Sequence, residues 1–195
     1  MRTNIQMAAL ERPLHTLLVT SSDPDEGKST TLANLAVTLA QAEQRVIVVD
    51  CDLRRPALHT IFGVTNEAGL TTLLVDKAPK ITLQPTGVDG LRLLTAGPTT
   101  LRPSDVLGSR RMDALIERLK SEADIVLFDA PPITAATDAL VLATKLDGVL
   151  LVAQSGKTRR DRARNAVQSL QKVHVHVVGV VLTNAKLEKG SYGAY

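Results

Sequence analysis

Gly27-Lys28-Ser29 puts a permissive backbone, an ammonium group and a hydroxyl side by side, after the apolar run Leu14 to Thr20 and before a segment of helical spacing. A strand turning into a helix collects backbone amides and a positive helix terminus at one point, which favours an anion. There Gly27 lets the amides close around phosphates, Lys28 reaches β- and γ-phosphate oxygens, and the Ser29 hydroxyl ligates magnesium. The wider loop adds Ser22, Asp25, Glu26 and Thr30 as candidate nucleotide contacts, with Thr30 also expected to pack or cap locally. Ser22 occupies the place of the first glycine in the usual G-x-x-x-x-G-K-[ST] spacing, so the loop alone also fits an ordinary turn before a helix.

Two more apolar runs end in acids. Val48 and Val49 lead into Asp50, Cys51, Asp52, Leu53 and Arg54, and the run from Ile125 to Phe128 leads into Asp129. The carboxyl ends of strands in an open parallel sheet open onto its ligand crevice. Carboxylates meeting there repel one another unless a cation intervenes, which predicts magnesium held by Ser29, Asp50, Asp52 and Asp129. Singly, a strand-end aspartate also serves as a loop or helix cap. Together with the Gly-Lys-Ser loop, the three point to a site for a nucleoside triphosphate and its metal.

These residues resemble the bacterial tyrosine kinases, or BY-kinases, which autophosphorylate in capsule and exopolysaccharide synthesis. The resemblance covers nearly the whole chain: Arg2 to Gln6, the loop Thr20 to Thr30, Val49 to Pro56, Gly97-Pro98, Pro103-Ser104, Phe128 to Pro132 and Gly179 to Leu182. It implies a three-layer α/β/α P-loop NTPase with a mostly parallel central sheet, using ATP and Mg2+. Ser at position 22 is usual in that family. Lys28 and Ser29 then match the phosphate-binding lysine and the magnesium ligand. Asp50 and Asp52 match the Walker A′ carboxylates, Asp129 the Walker B carboxylate, and Arg54 the D-x-D-x-R pattern. Asn184 resembles an adenine-contacting asparagine of related ATPases. The family's Walker B reads Asp-Thr-Pro-Pro, where this chain has Ala130. The family's ring-forming Glu-x-x-Arg-x-x-Arg motif is represented only by Arg2, which leads us to expect a monomer or weak association. Its tyrosine cluster is reduced to Tyr192 and Tyr195.

On this resemblance the expected activity is transfer of the γ-phosphoryl group of ATP to Tyr192 and Tyr195 of another copy. Lys28 neutralises phosphate charge, Asp50 takes the tyrosine proton, with Asp52 as its interchangeable neighbour, and Arg54 contributes to catalysis. The implied partner is the cytoplasmic tail of a membrane adaptor of polysaccharide co-polymerase type, and the implied location is the cytoplasm, at the inner face of the plasma membrane. Two other readings compete. One is an ATP-hydrolysing switch like the septum-site and plasmid-partition ATPases, whose signature lysine position is Asp23 here. The other is a nucleotide-dependent regulator without kinase activity. Asn184-Ala185-Lys186 lacks the guanine-reading Asn-Lys-x-Asp pattern, which favours ATP over GTP.

The chain's 195 residues suit one compact domain, and 44% hydrophobic with 22% charged residues is ordinary for a soluble globular protein. The net charge of +3 comes without a basic run interleaved with aromatics, so nucleic-acid binding is not indicated. No run approaches the length of a membrane span, and no signal-peptide core opens the chain, so neither insertion nor export is expected. Cys51, the single cysteine, fits a reducing compartment and, pointing opposite to Asp50 and Asp52, reads as a buried filler. Both tyrosines fall in a glycine-flanked tail at 189–195, set off from a domain at 1–188.

The elements that must position these residues follow from periodicity. A short helix is predicted over 2–11, a helix over 28–43 with Leu32, Leu35, Ala36 and Leu39 inward, and a strand over 45–50. Helical turns are expected near 56–62 and 70–77, then a strand at 91–95. Ser104 is read as the cap of a helix whose inner face is Met112, Leu115, Ile116 and Leu119. A strand at 124–129, a helix at 134–144, a strand at 148–153 and a helix at 158–172 follow, with Thr158 and Asp161 as a capping box. The last strand is 175–183. Arg159, Arg160, Arg162 and Arg164 read as a solvated helix face, and His174 with His176 as too few ligands for a metal.

Overall fold

All six residues of Thr16–Ser21 (β1) are buried, as a strand covered on both faces requires. The computed structural model, which describes residues 1–75 and 81–185, shows why. Leu17 and Val19 point into a layer shared with Ile5 and with Leu32, Leu35 and Leu39. Leu18 points the other way, toward Phe128, Met112 and Leu119. The sheet therefore has a separate apolar layer on each face, and the expected three-layer α/β/α architecture is found.

Helix Arg2–Glu11 (α1) precedes β1, and Lys28–Ala40 (α2) returns the chain to strand Val46–Asp50 (β2). The turns expected near 56–62 and 70–77 appear as Leu58–Phe62 (α3) and Leu70–Val75 (α4); positions 76 and 77 lie outside the described residues. Gly69 admits α4 against the sheet, since a Cβ there would lie 2.1 Å from the Thr95 carbonyl oxygen. A two-residue strand, Gln84–Pro85 (β3), runs antiparallel to Leu91–Leu94 (β4) at the edge. It is too short for periodicity to reveal.

The single helix expected after Ser104 is two: Pro103–Gly108 (α5) and Arg110–Glu122 (α6). The cap of α6 is Ser109, whose hydroxyl accepts from the Met112 amide. Ser104 lies inside α5 and bonds elsewhere. Strand Ile125–Asp129 (β5) is followed by Asp138–Ala143 (α7), shorter than predicted, then Gly148–Gln154 (β6), Arg160–Lys172 (α8) and Val177–Thr183 (β7). The expected Thr158–Asp161 capping box is absent. Arg159 is the N-cap of α8 and makes no side-chain cap bond. Strand β7 starts at Val177 rather than at 175, so both His176 and His174, the latter in a left-handed conformation with φ 56°, precede it.

Among the described residues the strand order is β3-β4-β2-β5-β1-β6-β7, and every pairing except β3–β4 is parallel. Strand β5 is thus inserted between β1 and β2. That insertion sets Asp50 beside Asp129 in register and Asp129 beside Val19, so the acids and the loop after β1 open at one edge. The tail expected at 189–195, with Tyr192 and Tyr195, lies outside the described residues, as does the expected boundary at 188.

Candidate active site

Gly27 starts α2 from a left-handed conformation, φ 87°, which a side chain would strain. No side chain caps this helix end among the described residues, so its first-turn amides remain available to an anion. The loop before it is held from three directions. The Glu26 carboxylate, almost fully buried, accepts from the Asp23 amide at 3.0 Å and from the Thr158 hydroxyl. Thr183 at the end of β7 donates to the Glu26 carbonyl at 2.9 Å, and Lys157 donates to the Asp25 carbonyl at 2.8 Å. Glu26 therefore shapes the loop from behind. Asp25, at φ 59°, and Thr30 line the open cleft.

The cleft has a volume of about 550 Å³ and is lined by Lys28, Ser29, Asp52 and Arg54 on its polar side and by Ala57, Ile61, Pro131 and Pro132 on its apolar side. The Lys28 ammonium lies 2.8 Å from Asp52 Oδ2 and 3.6 Å from Asp129 Oδ2, and 3.1 Å from Ser29 Oγ. Ser29 donates to Asp129 Oδ2 at 2.6 Å. Burial alone would lower the Lys28 pKa, but the charges of Asp129 and Asp52 outweigh it and hold the ammonium charged.

Asp50 is placed differently from its two partners. Like Asp129 it is fully buried, but its oxygens accept from the backbone amides of Asp52, Ala57 and Leu58, tying β2 to the start of α3. Burial first, then the neighbouring Asp129 charge, push its pKa up to about 7. Burial likewise pushes Asp129 to about 6 against the opposing pull of Lys28 and Ser29. Among the described residues no three acidic, histidine or cysteine side chains form a cage for a metal. Within the protein itself, the Lys28 ammonium offsets part of the repulsion foreseen from the sequence. The donors on the cleft still suit magnesium, which keeps several waters and takes few protein oxygens. Asp129 Oδ1 is buried and has no hydrogen-bond partner among the described residues, an orphaned hard oxygen beside the Ser29 hydroxyl.

Ser22 is fully buried beneath the loop, its carbonyl 2.7 Å from the Thr134 hydroxyl. Exposed Asn184, at φ 52°, immediately follows Thr183 beside the loop. Asp23 accepts from Thr134 and faces Arg162 at 3.6 Å. Cys51 is fully buried in the layer opposite α2 and α3, and burial pushes its thiol pKa well up.

Sequence reasoning missed Asp138. This fully buried carboxylate at the start of α7 receives Arg54 Nε at 2.7 Å and Nη2 at 3.3 Å, and the Ser104 hydroxyl donates to it. Burial acts to raise its pKa, but the bonds from Arg54 and Ser104 prevail and hold it below the usual carboxylate value. Its acidic side chain at a helix start is common in any protein, so no sequence signal separated it from a cap.

A lysine-bearing loop at an uncapped helix end, facing strand-end acids in a parallel sheet, defines a P-loop nucleotide-binding protein. The family model described as "ParA: NUBPL iron-transfer P-loop NTPase" matches residues 13–189. Tyrosine-protein kinase YwqD of Bacillus subtilis (strain 168) is 40% identical over 196 residues, spanning 100% of this chain and 83% of that protein. The crystal structure of the chimerical protein CapA2B2 superposes with a TM-score of 0.89 at 32% identity, covering 93% of this chain and 80% of the other. The kinase domain of Escherichia coli tyrosine kinase ETK superposes with a TM-score of 0.88 at 33% identity, covering 99% and 77%. The chain belongs to the bacterial tyrosine kinases within the P-loop NTPases. It is a protein-tyrosine kinase. The septum-site protein MinD of Pyrococcus horikoshii, solved with Mg-ADP, matches at a TM-score of 0.72 with 23% identity and shares the fold alone. No helix among the described residues is long and apolar enough to cross a membrane.

Proposed function

We propose that the cleft binds ATP with magnesium and passes the γ-phosphoryl group to a tyrosine hydroxyl, with Tyr192 and Tyr195 of a second copy as acceptors. The observation that carries this reading is the Lys28 ammonium, held between Asp52 and Asp129 at the uncapped start of α2. Phosphoryl transfer depends on positioning and charge neutralisation more than on covalent chemistry. The amides of α2 cradle the phosphates and Lys28 neutralises them. Ser29 and Asp129 would hold the metal, with Asp52 near its water shell; magnesium there supplies a Lewis acid for the phosphate oxygens.

In the transfer, the bond from the γ-phosphorus to the β,γ-bridging oxygen breaks, the bond to the tyrosine oxygen forms, and ADP leaves. The phenolic proton passes to a carboxylate. Asp52 suits this role better than Asp50, because it lines the cleft while the Asp50 oxygens are engaged by backbone amides. The apolar wall of Ala57, Ile61, Pro131 and Pro132 suits an aromatic ring. Exposed Asn184 would approach the adenine side.

Service in capsule or exopolysaccharide synthesis, at the inner face of the plasma membrane through an adaptor, is part of the same proposal and rests on the family. Incubating the purified chain with ATP and magnesium and mapping phosphotyrosine by mass spectrometry tests the acceptors. Modified Tyr192 or Tyr195, lost in Lys28→Met, supports the reading. Phosphate release with both tyrosines unmodified refutes it.

A further inference from the structure

Arg54 stands at the mouth of the cleft with Lys28 and Asp52, yet its side chain is about half exposed, 46%. A long side chain so placed samples many rotamers unless something fixes it. What fixes it is a carboxylate with no exposed surface. Asp138 takes the Nε and Nη2 edge of the guanidinium in a two-point grip, and Ser104 on α5 donates to the same carboxylate. A guanidinium carries five N–H donors in one plane. The grip uses one on each of two nitrogens, and among the described residues Nη1 has no partner, which leaves it for another anion.

We propose that Asp138 and Ser104 are positioning residues for phosphoryl transfer, orienting the Arg54 guanidinium so that Nη1 meets the oxygens of the migrating phosphoryl group. The arrangement links the acidic loop after β2 to the starts of α5 and α7. Neither Asp138 nor Ser104 lines the cleft, so both act through Arg54. The inference rests on the reading that this cleft is where transfer occurs.

Steady-state phosphotyrosine formation by the full chain, with kcat and the KM for ATP measured separately, tests it through Arg54→Ala, Asp138→Asn and their combination. Misplacing a charge-stabilising group by about an ångström reduces turnover on the order of 100-fold. Arg54→Ala and Asp138→Asn are each expected to lower kcat by roughly 10- to 100-fold, with the KM for ATP changed less than about 3-fold, because the Arg54 contact strengthens as charge builds on the migrating group while Lys28 and the α2 amides continue to hold the nucleotide. The double variant is expected to be no slower than Arg54→Ala alone, the signature of one coupled unit.

An Asp138→Asn enzyme as fast as the parent overturns the proposal, as does a loss that multiplies in the combination. If Asp138→Asn fails to fold by circular dichroism, Ser104→Ala with and without Arg54→Ala decides on the same criterion, the single variant losing roughly 3- to 10-fold. A fully active Arg54→Ala instead overturns the assignment of the cleft, and the proposal with it.

Discussion

Replacing Lys28 with methionine keeps most of the side-chain volume and removes the cation between Asp52 and Asp129. At 2.8 and 3.6 Å, in a medium of effective dielectric about 20, the two attractions are worth on the order of 6 and 5 kcal/mol gross. Withdrawing the ammonium from water offsets several kcal/mol of that, and breaking such a partly buried pair is measured at about 3–5 kcal/mol net. The loss should depend on pH. Asp50 and Asp129 have folded-state pKa values raised to about 7 and about 6. A carboxyl raised in this way favours the fold most below its unfolded pKa of about 4, and that advantage disappears as pH climbs through the folded value. Lys28 pulls both values down. Without it they rise further, so the variant should lose stability more steeply than the parent as pH increases. Urea unfolding in the absence of nucleotide and metal should show a deficit of about 3–5 kcal/mol at pH 8, shrinking to roughly half or less at pH 5. Phosphotyrosine formation should fall by at least about 100-fold. A variant as stable as the parent at pH 8, or a deficit independent of pH, would refute the claim that this ammonium neutralises the acids.

Gly27→Ala, forced to φ 87°, should cost about 1–2 kcal/mol in a denaturant melt and weaken nucleotide binding in a fluorescent-analogue titration. Thr183→Val removes the hydroxyl that supports the Glu26 carbonyl; about 1 kcal/mol of stability should be lost, and the KM for ATP should rise while kcat changes little. Ser109→Ala deletes the cap of α6, which does not line the cleft, and should lower stability by about 0.5–2 kcal/mol with unchanged kcat per folded molecule.

The pattern of apolar runs made the elements legible. Val46–Asp50 and Ile125–Asp129 are short, unbroken and acid-terminated, and each is a fully buried strand. Periodicity also located the inner face of α6, whose Met112, Leu115, Ile116 and Leu119 are all buried. It failed where local signals compete. Ser104 and Thr158 both have the chemistry of a helix cap, but each found a buried carboxylate elsewhere, Asp138 for one and Glu26 for the other. A hydroxyl goes to whichever acceptor folding brings within reach, and that choice is not written in its neighbours.

By itself the sequence determined the chemical kit: a phosphate loop around Lys28, acids at the ends of two strands, and helices alternating with strands that demand a parallel sheet. Only the tertiary structure decided how the kit is wired. Inserting β5 between β1 and β2 brings Asp129 to Lys28 across 101 residues of chain, and the same stacking turns Asp50 inward while leaving Asp52 on the cleft. Strand order and burial arise from the packing of both apolar layers at once, so residues distant in the chain become neighbours by a route that no local pattern records.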